Sequence, residues 1–312
     1  MENLAELILQ SGRAAVELAL FVLLPVMVVM LSMMRLMEAR NLLDRLVNFV
    51  APALRPLGIP GLGVFAMIQV LFVSFAAPMA TLAMMDKGGT SRRHIAATLA
   101  MVLSMAQANV VFPMAALGLH VGWTMLIAVL GGLIAAATTY HLFGRNLPER
   151  EESEESHPRH PLAEDTKGVL AVINRAGAEA FKIAVGSIPM LVLALLLVNI
   201  LRSSGAMGLL ESLFTPLLEQ LDIAPVMVLP LVTKMIAGGT AMMGVMVEFI
   251  DDGLITMLEF NRLAGLLISP LDIAGVAILI SAGPRVAAVL KPALYGAVTA
   301  VLVRTLAHLM IL

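Results

Sequence analysis

Polar side chains stand inside long apolar stretches of this 312-residue chain in two matched sets: Gln69, Ser104, Gln107 and Asn109, then Thr233, Lys234, Ser269 and Asp272. A polar or charged group in hydrocarbon costs free energy unless it is partnered, so such residues mark pathways and binding sites. Amides and hydroxyls at this density suit a small polar solute. A carboxylate flanked by Leu271 and Ile273 has to be paired, protonated or ion-bound. Asp272 and Lys234 are therefore candidates for ion coupling, with a purely structural ion pair as the plainer alternative. Ser104 and Ser269 can instead bond back to a carbonyl one turn earlier. Gln107 and Asn109, two amides two residues apart, need two separate partners if they only join helices.

The elements that must hold these groups are membrane helices. Hydrophobic residues make up 60% of the chain and charged residues 13%, the mean hydropathy is +0.95, and the runs 18–34 and 185–201 approach bilayer length. This is the composition of an all-α polytopic membrane protein with the lipid bilayer as its solvent. The first run lacks a basic leader and a small-residue cleavage site, so it reads as a retained helix. A balance of 20 basic against 22 acidic residues argues against nucleic acid as a partner, and the absence of cysteine excludes disulfides and thiol chemistry. No hydrolase or dinucleotide motif occurs, so an enzyme is not expected. His157 and His160 read as solvated rather than metal-binding, and no cofactor is expected beyond a coupling sodium ion or proton.

The chain aligns with itself at an offset of about 164 residues: Leu24-Pro25-Val26-Met27 falls on Ile188-Pro189-Met190-Leu191, and Phe49 to Leu54 falls on Leu213 to Leu218. With one added residue Ser104 and Gln107 fall on Ser269 and Asp272, and Gly131 on Gly296. Each half then predicts a leading helix (14–36; 179–201), an amphipathic helix (41–56; 206–221), a long apolar segment broken in its middle (61–86; 225–250), a helix carrying the polar set (93–116; 261–283) and a last helix (120–143; 286–311). Ser74, Phe75 and Pro78 mark one break; Gly238, Gly239 and Thr240 mark the other. These are expected tips of re-entrant hairpins, with a kinked full span as the alternative. Pro270 predicts an unwound stretch between Ser269 and Asp272, and Pro113 a lesser one near the end of its helix.

Charge decides between hairpin and span. With two hairpins each half crosses three times and the second half is inverted. One side then gathers Arg35, Arg40, Arg45, Arg55, Lys87, Arg92, Arg93, Arg145, Arg150, Arg159, Lys167, Arg175, Lys182, Arg285 and Lys291, against Arg13, Arg202, Arg262 and Arg304 on the other. Arg304 lies within the last apolar helix and is expected to snorkel to the surface. The expected organisation is a first repeat over 1–143, a charged, flexible cytoplasmic linker over 144–174 (polar character persisting to 178), and an inverted second repeat over 175–312. Both termini are then extracytoplasmic.

The approach Ile173-Asn174-Arg175-Ala176-Gly177-Ala178-Glu179-Ala180-Phe181-Lys182, the broken segments and the duplicated layout resemble membrane proteins with the nucleoside-recognition, or Gate, domain. That domain is shared by concentrative nucleoside transporters, spore maturation proteins A and B, and the membrane part of ferrous iron transporter B. The resemblance covers two units, 14–143 and 175–312. It implies a hairpin and a broken helix in each unit, a bacterial inner-membrane location, and solute contacts at Gln69, Gln107, Asn109, Thr233, Ser269 and Asp272; Phe75 and Phe112 read first as apolar contacts with lipid or protein, with stacking on a solute as the alternative. The chain departs from the nucleoside-transporter pattern in carrying Gln107 where the second repeat has Asp272, and it lacks the gate cysteine of the iron relatives.

The residues and the resemblance together predict a secondary transporter working by alternating access on a small polar solute, nucleoside-like at best. Ser104 joins the solute-binding set, and Asp272 with Lys234 couples to a proton or sodium ion. The rival expectations are a non-transporting membrane partner protein and a metal or inorganic-ion channel. The amphipathic helices leave surface for a homodimer or homotrimer.

Overall fold

The structure, a computed structural model, describes residues 4–40, 42–148, 168–205, 209, 212 and 223–311. The linker stretch 149–167 and most of the second amphipathic helix expected at 206–221 lie outside the described residues. Every regular element among the described residues is helical.

The chain opens with α1 (Leu4–Glu17) and α2 (Leu24–Ala39), continuous through a π-helical turn over Leu18–Leu23. That turn lies just ahead of Pro25, which has no N–H to give to the turn before it. The short α3 (Leu42–Leu54) buries Leu43, Val47 and Ala51 and leaves Leu42, Leu46 and Phe49 exposed, as suits a helix with lipid on its outer face. Gly58, with φ of 80°, then turns the chain through a bend of 108° into α4 (Gly61–Phe72).

Helices α4 and α5 (Pro78–Lys87) are 12 and 10 residues long, about 18 and 15 Å, too short to cross a bilayer core of about 30 Å one at a time. Thr81 Oγ1 donates to Gln69 Oε1 at 2.7 Å. In one continuous helix those residues would lie about 18 Å apart, so this bond fixes a hairpin and excludes the kinked span. The second pair, α10 (Val228–Ala237) and α11 (Gly239–Asp251), packs limb against limb about Gly238, whose φ is 88°.

Between the hairpins lie α6 (Arg92–Ser104), α7 (Ala108–Ala115), α8 (Val121–Thr138) with a π-helical turn over Thr139–Phe143, and α9 (Val169–Ser203). Helix α9 begins inside the stretch expected to be flexible linker, so residues 169–174 are helical. The chain closes with α12 (Met257–Leu267), α13 (Ile273–Ile280), α14 (Pro284–Ala288) and α15 (Leu290–Ile311). Among the described residues five stretches are long and apolar enough to cross a membrane: 4–37, 92–115, 121–143, 169–201 and 290–311. The sixth predicted crossing, 261–283, is divided between α12 and α13.

Helices at matched places in the two halves run antiparallel. Arg35 pairs with Glu179 at 2.8 Å, while Asn199 Nδ2 donates to Ser11 Oγ at 3.0 Å, so numbers rise along α1–α2 as they fall along α9. Helices α8 and α15 likewise meet at Gly131 against Arg304 and at Thr139 against Gly296. Helix α6 is buried from Ile95 to Ser104. Its Ala96, Ala97 and Ala100, with Ala293, Ala297 and Ala300 of α15, are buried small residues that let backbones approach closely, the packing expected where lipid supplies no hydrophobic drive. Exposed Phe21, Leu193, Leu126 and Leu302 on the other long helices are the lipid-facing side.

One expectation is corrected. Arg304 does not snorkel: it is 0% exposed, and its guanidinium donates to the Ser104 carbonyl. The side chain turns inward because Gly131 leaves room beside its Cγ and Cδ, and because the broken end of α6 offers an acceptor.

Close packing at this point makes a specific demand on Gly265, where an added Cβ would lie 2.6 Å from the backbone C and O of Arg304. Gly265→Ala is expected to cost about 1–3 kcal/mol by overpacking and to lower the melting temperature of the detergent-solubilised protein. Gly186→Ala on α9, with open space at its Cβ, serves as the control and is expected to be neutral or mildly stabilising.

Candidate functional site

Two helix breaks and two hairpin tips meet at the centre of the molecule. The first break, Met105–Gln107, separates α6 from α7. Gln107 N donates to Ile268 O at 3.3 Å, and Gln107 Nε2 donates to Ser269 O at 3.2 Å. Both acceptors belong to the second break, between α12 and α13. Unwound backbone from one half thus satisfies unwound backbone from the other, which removes the unpaired polar groups that hydrocarbon does not tolerate.

The second break follows from Pro270. Proline has no N–H for the Leu266 carbonyl, and Ser269 Oγ donates to that carbonyl instead, at 3.2 Å. Ser104 Oγ similarly donates to Met101 O at 3.0 Å. Both serine hydroxyls therefore bond back to a carbonyl three residues earlier, and these two residues enter the centre through their carbonyls.

Asn109 joins the tips. Its Oδ1 accepts from Phe75 N of the first hairpin at 3.3 Å, and its Nδ2 donates to Thr240 Oγ1 of the second at 3.0 Å. One amide thus spans two tips that are far apart in sequence. Ser74 and Pro78 are buried at the first tip. At the second tip an added Cβ on Gly239 would collide with Gln107 Nε2, and one on Gly238 would lie 3.4 Å from Asp272 Oδ1. The paired glycines let this tip rest on both breaks at once.

Asp272 uses both of its oxygens. Oδ1 accepts from Gly275 N at 2.7 Å, capping α13, and Oδ2 accepts from Lys234 Nζ at 2.5 Å. Lys234 Nζ also donates to Leu271 O at 3.4 Å. Lysine and aspartate side chains are 1% and 3% exposed, so the pair is desolvated. Thr233 is buried beside Lys234 on α10, while Gln69 is engaged with Thr81 inside the first hairpin and is only half-buried.

The arrangement is therefore a closed polar centre in which Gln107 and Asn109 hold hairpins and breaks together with exchangeable amide hydrogen bonds. A shallow pocket lined by Ile223, Met227, Glu259, Arg262 and Leu309 shares no residue with it. Among the described residues no group of three or more His, Cys, Asp or Glu is placed to hold a metal ion. Three residues of the interior were not expected. Arg304 is one. Asn261 accepts from His120 N at 2.8 Å and donates to Gly118 O at 3.2 Å, clamping the turn before α8. His308 donates from Nδ1 to Asn261 O at 2.8 Å. Their sequence signal was the presence of polar residues in apolar helices, the same signal that marked Gln107 and Asn109.

Removing one partner of a buried pair strands the other charge. Lys234→Met is expected to destabilise the protein by about 3–5 kcal/mol. The double variant Lys234→Met with Asp272→Asn should recover a large part of that loss, since the asparagine amide keeps a capping oxygen without the charge, and thermal unfolding of the three proteins checks it.

Residues 20–119 match the family model described as Gate, nucleoside recognition. No curated protein sequence matches the chain. Among solved structures, a variant of the concentrative nucleoside transporter CNTnw in an outward-facing state superposes with a TM-score of 0.68 at 14% identity, covering 98% of this chain and 82% of that one. CNTnw in an inward-facing substrate-bound state gives 0.62 at 15% identity, over 92% and 72% of the two chains. A third structure, an intermediate state of a CNTnw variant, gives 0.68 at 15% identity over 92% and 75%. The chain thus has the fold of a concentrative nucleoside transporter, and its first third carries the Gate match.

Proposed function

We propose that this protein is a secondary transporter that moves a small polar solute by alternating access, and that its two halves are inverted Gate repeats over 1–143 and 175–312. The observation that carries the reading is the Asn109 amide bonded to both hairpin tips, beside a Gln107 bonded to the opposite helix break. Hydrogen bonds of this kind can be exchanged for bonds to a solute without leaving buried groups unpaired. Withdrawal of one tip opens the centre to one side of the membrane, and withdrawal of the other opens it to the opposite side. The antiparallel course of matched helices supports the inversion, and the fold shared with structures described as outward-facing and inward-facing supports the movement.

Gln69, Ser104, Gln107, Asn109, Thr233 and Ser269 line the route in this reading, with Ser104 and Ser269 contributing carbonyls. A nucleoside-like solute fits the amide-rich centre and the family match. Asp272 carries the coupling proton: both of its oxygens already hold N–H donors, and protonation would release Lys234 from its partner. The basic residues around 35–55, 87–93 and 285–291 support a cytoplasmic orientation of that face, in a bacterial inner membrane in this reading.

Thermal unfolding of the purified protein against nucleosides, nucleobases and small organic acids, at two pH values, tests this. A saturable shift is expected for one class and should vanish in Asn109→Ala and Gln107→Ala. In proteoliposomes Asp272→Asn is expected to abolish proton-driven uptake while leaving solute exchange. Uptake in Asp272→Asn that still follows the proton gradient would rule out the coupling role.

A further inference from the structure

The last turn of a helix presents carbonyls without intrahelical partners and carries a partial negative charge of about half a unit. At broken helices in transporters such carbonyls are the usual ligands of an exchangeable cation. This protein has two such ends at its centre, and they are treated differently. At the second break Lys234 Nζ reaches Leu271 O, in the unwound stretch ahead of α13, and the Asp272 carboxylate, not the carbonyl end of α12. At the first, Arg304 donates from Nη1 to the Ser104 carbonyl, the last residue of α6.

Arg304 is fully buried, and its seat is made for it. An added Cβ on Gly131 would collide with Arg304 Cγ and Cδ, and Gly265 lets α12 approach the Arg304 backbone. Among the described residues no acid answers the charge at this break, where Gln107 stands in the place that Asp272 occupies at the other. The buried charged side chains among those residues are Lys234, Asp272 and Arg304, two cations against one anion. Arg304 Nε and Nη2 have no hydrogen-bond partner, so a fork of hydrogen bonds does not account for its position. The field of the α6 carbonyl end does.

We infer that Arg304 is a tethered cation that fills the place of an exchangeable metal cation at the first helix break, so that the protein holds its closed centre without sodium. The inference deepens the transporter reading by removing sodium as coupling ion, and its test is read without solute, so the two can fail separately.

The test is thermal unfolding of purified wild type and Arg304→Ala with sodium, guanidinium or choline as the chloride salt at constant ionic strength. Wild type is expected to melt at the same temperature in sodium and choline. Arg304→Ala is expected to melt at least about 3 °C lower and to regain half or more of the loss, saturably, in guanidinium or sodium but not in choline. Should Arg304→Ala not fold, Arg304→Lys and Arg304→Gln give the answer: Lys keeps the charge and should melt near wild type, while Gln keeps donors only and should melt lower and respond to sodium. A saturable sodium stabilisation of wild type would overturn the inference. So would equal recovery of Arg304→Ala in all three salts, or a Gln variant as stable as wild type.

Discussion

Backbone released from a helix inside a membrane has no water to bond, and this constraint organises the whole molecule. Each half breaks a helix at its centre, and several of the groups set free are satisfied across the halves: Gln107 bonds Ile268 O and Ser269 O, and Arg304 bonds Ser104 O, while Lys234 bonds Leu271 O within the second half. Each break thus leans on the other half. That dependence explains why α6 is buried along almost its full length while the long helices around it face lipid, and why small residues crowd the contact between α6 and α15.

The same constraint concentrates the bonding at the centre. Asn109 and Gln107 spend their amides on the hairpin tips and a helix break. Hairpin limbs of 10 to 13 residues reach about halfway through a bilayer and end at this point. Gly238 and Gly239 bring the second tip close enough to touch both breaks. The first tip is held by a main-chain N–H, that of Phe75, and so constrains the side chain there less.

Much of this was legible in the sequence, and the exceptions have physical reasons. Pro270 announces the second break, and Ser74 to Pro78 and Gly238 to Thr240 announce the tips, because proline and glycine change the backbone itself. Nothing at Met105 to Gln107 forbids a helix. That break is held by a bond to Ile268, more than a hundred residues away, and only the unusual polarity of Gln107 and Asn109 hinted at it. Arg304 was misread for a related reason. A lone arginine toward the end of an apolar helix is compatible with snorkelling, and what turns it inward, the Ser104 carbonyl with Gly131 and Gly265, comes from three other helices. The serine hydroxyls at 104 and 269 followed their local option and bonded back to a carbonyl three residues earlier.

The chain has no cysteine, which makes accessibility of the tips directly measurable. Single substitutions Ser74→Cys and Thr240→Cys, in oriented membrane vesicles, can be challenged with a membrane-impermeant thiol reagent from each side in turn. Alternating access predicts that one tip is labelled from one side and the other tip from the opposite side, and that a solute found to stabilise the protein slows both reactions. Labelling of both tips from the same side only, or of neither from any side, would contradict the account.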